Sequence, residues 1–167
     1  MGLTPLGAVW RGLVAGAAGT LAMDLYWFAR SRAANGDRNF WAWETSVGLD
    51  SWEKAPAPAQ VGRRIAEGLL GRELPAQRAR LVNNVVHWVY GTLWGAVYGI
   101  VAGSTADPQT SYGLPLGAVV LAADYTVLPS AKLYKPIWEY DAKAVAADVG
   151  GHLVYGVSTA AAFRRLS

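Results

Sequence analysis

The chain of 167 residues contains no cysteine, which excludes disulfides, thiolate metal centres and cysteine nucleophiles. Charge is scarce as well. Asp, Glu, Lys and Arg make up 16% of the residues, against roughly 25% in an ordinary soluble domain. The net charge is +3, and the basic residues fall in short pairs such as Arg63-Arg64 and Arg164-Arg165. That is not the stripe of a nucleic-acid binder, so no nucleic-acid partner is expected. Gly62 and Gly68 make no phosphate loop, because no Gly-Lys-Ser follows them. No nucleophile elbow surrounds Ser130 or Ser158. The chain offers no catalytic residue, and an enzymatic role is not the expected one.

What is present is apolar and small. Hydrophobic residues reach 53%, with 19 glycines. They gather in four segments, at about 6–29, 81–104, 112–128 and 142–163. From Leu81 to Ala106 there is no Asp, Glu, Lys or Arg, a run longer than the roughly 20 residues that span a hydrocarbon core. The expected fold is an all-α membrane protein, a single domain of four transmembrane helices. A signal peptide fits the first segment badly, since no basic stretch precedes it and Asp24 lies inside it. The eight tryptophans and eight tyrosines suit the membrane–water boundary.

The chain also repeats itself. His87-Trp88-Val89-Tyr90-Gly91 returns as His152-Leu153-Val154-Tyr155-Gly156, with Asn83 and Asp148 four residues before the histidines. Leu21-Ala22-Met23-Asp24 returns as Leu121-Ala122-Ala123-Asp124. The order is Asp-segment, His-segment, Asp-segment, His-segment, which reads as two similar helical hairpins. Small residues recur every four positions: Ala8, Gly12, Gly16 and Thr20, ending on Asp24; Gly91, Gly95 and Gly99 after His87; Gly156 and Ala160 after His152. Four-residue spacing places them on one helix face, where another backbone approaches closely.

Segments one and two are joined by a long polar loop, about 30–80, holding Phe40-Trp41-Ala42-Trp43-Glu44, Trp52, Pro56 and Pro58. Its aromatic residues read as interface anchors. At about 59–71, Val61, Ile65, Leu69 and Leu70 oppose Arg63, Arg64 and Glu67, the pattern of a short amphipathic helix lying on a membrane or on a neighbouring protein. Twelve basic residues sit in loops one and three or at their borders (Arg30, Arg32, Arg38, Lys54, Arg63, Arg64, Arg72, Arg78, Arg80, Lys132, Lys135 and Lys143), and three sit elsewhere (Arg11, Arg164 and Arg165). The positive-inside rule therefore puts both loops in the cytoplasm and both termini on the far side of the membrane.

The ionisable residues inside these segments are the candidate site: Asp24, His87, Asp124 and His152, with Asn83 and Asp148 one turn from the histidines. Charge in hydrocarbon is expensive, so Asp–His pairing is expected whatever the function. Three uses beyond pairing stay open. One is a proton- or ion-responsive cluster. Another is a metal site of His87, His152, Asp24 and Asp124, suited to zinc, iron or manganese. The last is a b-type haem between His87 and His152. No cofactor is expected, and a homo-oligomer or a larger membrane complex, with the chain as accessory subunit, remains open.

Gly12-Leu13-Val14-Ala15-Gly16, the aromatic segment after His87, Leu114-Pro115-Leu116-Gly117-Ala118, and Gly151-His152-Leu153-Val154 before a terminal Arg-Arg together resemble the YagU-like family of small bacterial inner-membrane proteins. The resemblance covers the four apolar segments and leaves the Trp-rich loop unmatched. It implies an integral inner-membrane protein with a loose link to acid tolerance, and it carries over no catalytic residues.

Overall fold

The computed structural model describes residues 3–167. The described residues form six α-helices and no strand: α1 (Pro5–Ala33), α2 (Phe40–Glu44), α3 (Ala57–Leu70), α4 (Ala79–Gly103), α5 (Gly113–Ser130) and α6 (Ala142–Leu166), with short 3₁₀ turns before α4, α5 and α6. Three stretches are long and apolar enough to cross a membrane: Pro5–Ala33, Ala76–Gly103 and Thr110–Ser130. α6 matches α4 in length, at 25 residues each, but it carries Asp148 and His152 within that length. The third apolar segment, expected at about 112–128, runs on past Pro129. That proline sits inside the last turn, and the helix continues to Ser130.

The chain divides into two compact units. One comprises the described residues up to Trp27 together with Tyr90–Ser167, and the other Phe28–Val89.

In the first unit the helices meet through residues with almost no side chain. α1 and α4 run antiparallel. A Cβ added to Gly16 would lie 2.8 Å from the Gly91 carbonyl oxygen and from Gly95 Cα, and one on Gly99 would lie 2.8 Å from Gly12 Cα. A Cβ on Gly95 would collide with the Gly12 carbonyl oxygen and with Gly16 Cα. α5 and α6 repeat this contact, with a Cβ on Gly156 falling 2.7 Å from the Gly117 nitrogen. Small faces let backbones approach where lipid gives no hydrophobic push between helices. The core above these contacts is modest, comprising Ala15, Tyr98, Ala102, Leu116, Val120, Tyr155, Ala160 and Phe163. Tyr98 meets Phe163 edge-on, with ring centroids 5.6 Å apart.

α6 touches all three other helices of this unit. Its Tyr155 hydroxyl donates to the Gly91 carbonyl of α4 at 2.7 Å. Its Ala147 carbonyl accepts from Tyr26 of α1 at 3.1 Å, and its glycines seat against α5. Outward-facing large residues lie on the other helices: Leu6, Trp10 and Val14 on α1, Leu93, Val97, Ile100 and Val101 on α4, and Val119 and Val127 on α5 are all exposed. An apolar surface of this extent on a water-soluble unit would be a liability; toward lipid it is the expected face. Arg11 ties the open end, its Nε donating to the Leu166 carbonyl at 2.6 Å near the α6 C-terminus, where a cation meets the unsatisfied carbonyls of a helix end.

In the second unit the long loop is more ordered than a polar linker. Asn39 caps α2, its Oδ1 accepting from Ala42 N at 3.1 Å. Phe40 and Trp43 pack on Phe28, with centroids 5.3 and 5.6 Å away. Trp52 belongs to a small core with Ala59 and Ala79 and donates its indole N–H to the Leu74 carbonyl at 3.0 Å. It is therefore internal and not an interface anchor, whereas Trp41 remains exposed. α3 ends at Gly71 in the left-handed conformation, φ 64°. It packs through Ala59 and Gly62, the latter against Val82 and Val86. Its large residues Ile65, Leu69 and Leu70 stay exposed, which leaves the amphipathic face turned away from this unit's core.

Two measurements check this packing. Gly95→Leu should lower the detergent melting temperature strongly, because the added side chain meets backbone on α1, a clash beyond the about 1–3 kcal/mol of ordinary overpacking. Val97→Leu, on the exposed face, should change stability by less than about 0.5 kcal/mol. Equal melting temperatures would show that the glycine face is not a contact.

A second check uses pH. The Leu74 backbone N–H donates to Glu67 Oε1 at 2.7 Å and Arg63 Nε does so at 3.0 Å; in that order they hold the Glu67 carboxyl below its ordinary 4.5. A depressed folded value means the contact contributes in full above pH 4.5 and is lost as pH falls through the lower, folded value. Amide exchange at Leu74 should accelerate over that acid range in the native chain. In Glu67→Gln the acceleration should be absent, and an identical profile in both would remove Glu67 as the fastening group.

Candidate functional site

Close packing of α5 and α6 brings a short carboxylate to an imidazole. On α5, Gly113, Gly117 and Val120 are buried and Asp124 follows them, at helical intervals of four, three and four residues on one face. On α6, His152 and Gly156 are buried one turn apart, with Asp148 a turn earlier. The backbones approach at Gly113, Gly117 and Gly156, so the aspartate needs little reach. Asp124 Oδ2 lies 3.1 Å from His152 Nε2, with side-chain exposures of 22% and 10%. Its other oxygen, Oδ1, accepts from the Tyr90 hydroxyl of α4 at 2.7 Å. His152 Nδ1 lies 2.8 Å from the Asp148 backbone carbonyl oxygen.

This geometry constrains the protons. A carbonyl oxygen only accepts, so Nδ1 carries a hydrogen and donates it. Nε2 then faces a carboxylate oxygen. If Nε2 were bare and Asp124 ionised, two lone pairs would oppose each other in a buried site. The contact is attractive only when one proton lies between them, on Nε2 as an imidazolium–carboxylate pair or on Oδ2 as a carboxylic acid donating to a neutral ring. In either arrangement the pair has no net charge, which is the form a low-dielectric interior tolerates.

The other candidates lie outside the Asp124–His152 contact. The Asp148 carboxylate does not orient the ring, as its place one turn away suggests; the backbone carbonyl of the same residue does that. The carboxylate instead accepts from the Tyr125 hydroxyl at 2.5 Å. Asp24 is buried on α1 in the first unit, 4% exposed. His87 belongs to the second unit, half-buried, its ring edge-on to Trp88 at 6.4 Å. There a Glu44 oxygen lies within 4.8 Å of a His87 ring nitrogen, and Trp88 Nε1 donates to Glu44 at 2.9 Å. Asn83 does not orient His87 either: its amide donates to Ser46 Oγ at 3.0 Å, because the turn after α2 lies beside it in this unit. Gly12, Gly16, Gly91, Gly95, Gly99 and Gly156 all sit at the backbone contacts of the first unit.

Three participants escape the sequence reading. Tyr90 had a signal, since a tyrosine stands three residues after the histidine in both copies of the repeated phrase, and both hydroxyls bond across to another helix. Glu44 had a weaker one: it is the only acid in an aromatic run. Tyr125 had none. A haem or a metal ion on His152 would require breaking one of the two bonds that occupy its ring nitrogens.

No family model matches the chain, and neither does any curated protein or solved structure.

The pair predicts non-additive mutations. Asp124→Leu or His152→Leu alone should cost about 3–5 kcal/mol, because each leaves a buried partner without its counter-group. The double variant should recover a substantial part of that loss, and Tyr90→Phe alone should cost about 1 kcal/mol. Additive single and double losses in a melting series would show that the two side chains do not act together.

Proposed function

We propose that the chain is a multi-pass protein of the bacterial inner membrane that responds to protons or ions through the Asp124–His152 pair. The observation that carries this reading is the proton the pair must hold. A site that keeps one proton between a carboxylate and an imidazole can pass it on or give it up to a cation, and an ionisable group inside a membrane is by default a functional-site hypothesis. The Glu44–His87 neighbourhood is a second carboxylate–imidazole arrangement, on the first histidine of the repeated phrase.

Four crossings, with α6 as the fourth, follow from enclosure. A helix surrounded by three others need not be apolar, so the lower hydropathy of α6 does not exclude it from the bilayer. Two antiparallel pairs built on glycine contacts, α1 with α4 and α5 with α6, support descent from one duplicated hairpin. The basic loops favour periplasmic termini. The YagU-like resemblance agrees with the location and with a link to acid, and it rests on short motifs alone.

Two experiments test the proposal. The protein should remain in the membrane fraction after carbonate and high-salt washes, with a reporter at Ser167 reading periplasmic and one in the 50s reading cytoplasmic; release without detergent would end the membrane reading. In liposomes under an imposed pH gradient, the native chain should alter proton flux or show a pH-dependent change in tryptophan emission. Asp124→Asn should abolish either response. A native chain silent in both assays would reduce the pair to a structural contact.

A further inference from the structure

The link between α5 and α6 encloses an open hollow of about 570 Å³. Its lining carries both signs of charge: Lys132 and Lys135, Glu139 and Asp141, with the rings of Tyr134 and Tyr140. Neither lysine forms an ion pair among the described residues. Asp141 is partly engaged, its Oδ1 capping α6 through Ala144 N at 2.9 Å. The hollow has a fixed frame, since Tyr140 Oη accepts from Lys135 N at 3.2 Å and the rings of Tyr125, Tyr134 and Tyr140 stack edge-on at 5.8–6.3 Å.

Lys132 stands where a lysine is unfavourable. Its φ is 57°, and it occupies the left-handed position just after α5, where the Leu133 N–H returns to the Leu128 carbonyl at 2.9 Å. Glycine is the usual residue in this helix-ending turn. A long cationic side chain held there at a conformational cost points to a use for the side chain. Beside the hollow, the 3₁₀ turn Ile137–Glu139 puts Trp138, 81% exposed, and Ile137, 39% exposed, next to the charged lining. Amphipathic rings in such places sit at the headgroup level of a bilayer.

We propose that this hollow binds a zwitterionic phospholipid headgroup of the phosphoethanolamine class. The phosphate lies against Lys132 and Lys135, the primary ammonium donates hydrogen bonds to Glu139 as a quaternary ammonium cannot, and the glycerol and acyl region lies against Ile137 and Trp138. The inference rests on the membrane reading of α5 and α6. Paired lysines alone would suit any anionic lipid; the carboxylates in the same lining select for a ligand that also carries a cation. The adjacent apolar pair selects a lipid over a free phosphoethanolamine ester.

Native mass spectrometry of the delipidated full chain in detergent tests this. The probes are dioleoyl phosphatidylethanolamine, phosphatidylcholine, phosphatidylglycerol and water-soluble glycerophosphoethanolamine. Phosphatidylethanolamine should bind about tenfold more tightly than each of the others, the scale of one charge-assisted contact. Lys132→Gly should bind phosphatidylethanolamine about tenfold more weakly while its melting temperature stays the same or rises, because glycine relieves the left-handed backbone. Glu139→Gln should bind phosphatidylethanolamine and phosphatidylcholine alike. Equal binding of those two lipids by the native chain, a preference for phosphatidylglycerol, or glycerophosphoethanolamine binding as well as the lipid would each overturn the proposal. The assay contains no bilayer, so a chain that leaves the membrane on washing fails the membrane reading independently of this result.

Discussion

The close approach of the α5 and α6 backbones is the constraint on which the site depends. Aspartate has one methylene between backbone and carboxyl group, and it reaches a histidine on a neighbouring helix only where nothing bulky holds the helices apart. Gly113, Gly117 and Gly156 provide that approach, since an added Cβ on Gly117 would run into the His152 carbonyl itself. A branched residue at any of the three would separate the helices by more than the 3.1 Å contact at Asp124 tolerates. The glycine face and the acid–imidazole pair are therefore one device: small residues set the distance and the pair occupies it.

Polarity in the first unit is arranged from inside outward. α6 is the most enclosed helix and carries Asp148, His152, Tyr155 and Thr159, with His152, Tyr155 and Thr159 all buried. α1, α4 and α5 present valine, leucine, isoleucine and tryptophan outward. In water such an arrangement would leave a large apolar surface uncovered, whereas in a bilayer that surface faces its proper solvent and the buried polar groups find partners only within the protein. The Tyr90 hydroxyl on Asp124 and the Tyr155 hydroxyl on the Gly91 carbonyl are such partners. Each satisfies an acceptor from within the protein, and each fastens α4 to a neighbouring helix.

Much of this was legible in the chain, and the reason is periodicity. Glycines four residues apart, an uncharged run of spanning length and a repeated histidine phrase are local signals, and they mark the long helices and the face on which each glycine lies. That aspartates would face histidines was legible, because ionisable residues in apolar segments must find each other; which aspartate meets which histidine was not, and the fold pairs Asp124 with His152. The ring-orienting group was not legible, since a backbone carbonyl has no residue type. Nor was Glu44, which lies in a loop whose aromatic neighbours suggested a membrane anchor; its burial comes from the folding of the second unit, with Trp52, Ala59 and Ala79 forming a core that no pattern of heptads or stripes announces. α3 shows the same limit. Its amphipathic pattern was plain, yet it packs through Ala59 and Gly62, because a glycine opposite Val82 and Val86 permits an approach that its larger residues would prevent.

The central claim is that one proton is shared between Asp124 and His152. Nitrogen-15 spectra of the histidine-labelled protein in lipid at neutral pH, read beside the infrared carboxyl band of Asp124, measure it directly, and the presence of only two histidines makes assignment by a His87→Gln control simple. The account predicts one of two signatures: two protonated ring nitrogens on His152 with an ionised Asp124, or a ring protonated at Nδ1 alone with a protonated carboxyl band that vanishes in Asp124→Asn. A neutral His152 ring bare at Nε2 and facing an ionised Asp124 would contradict it.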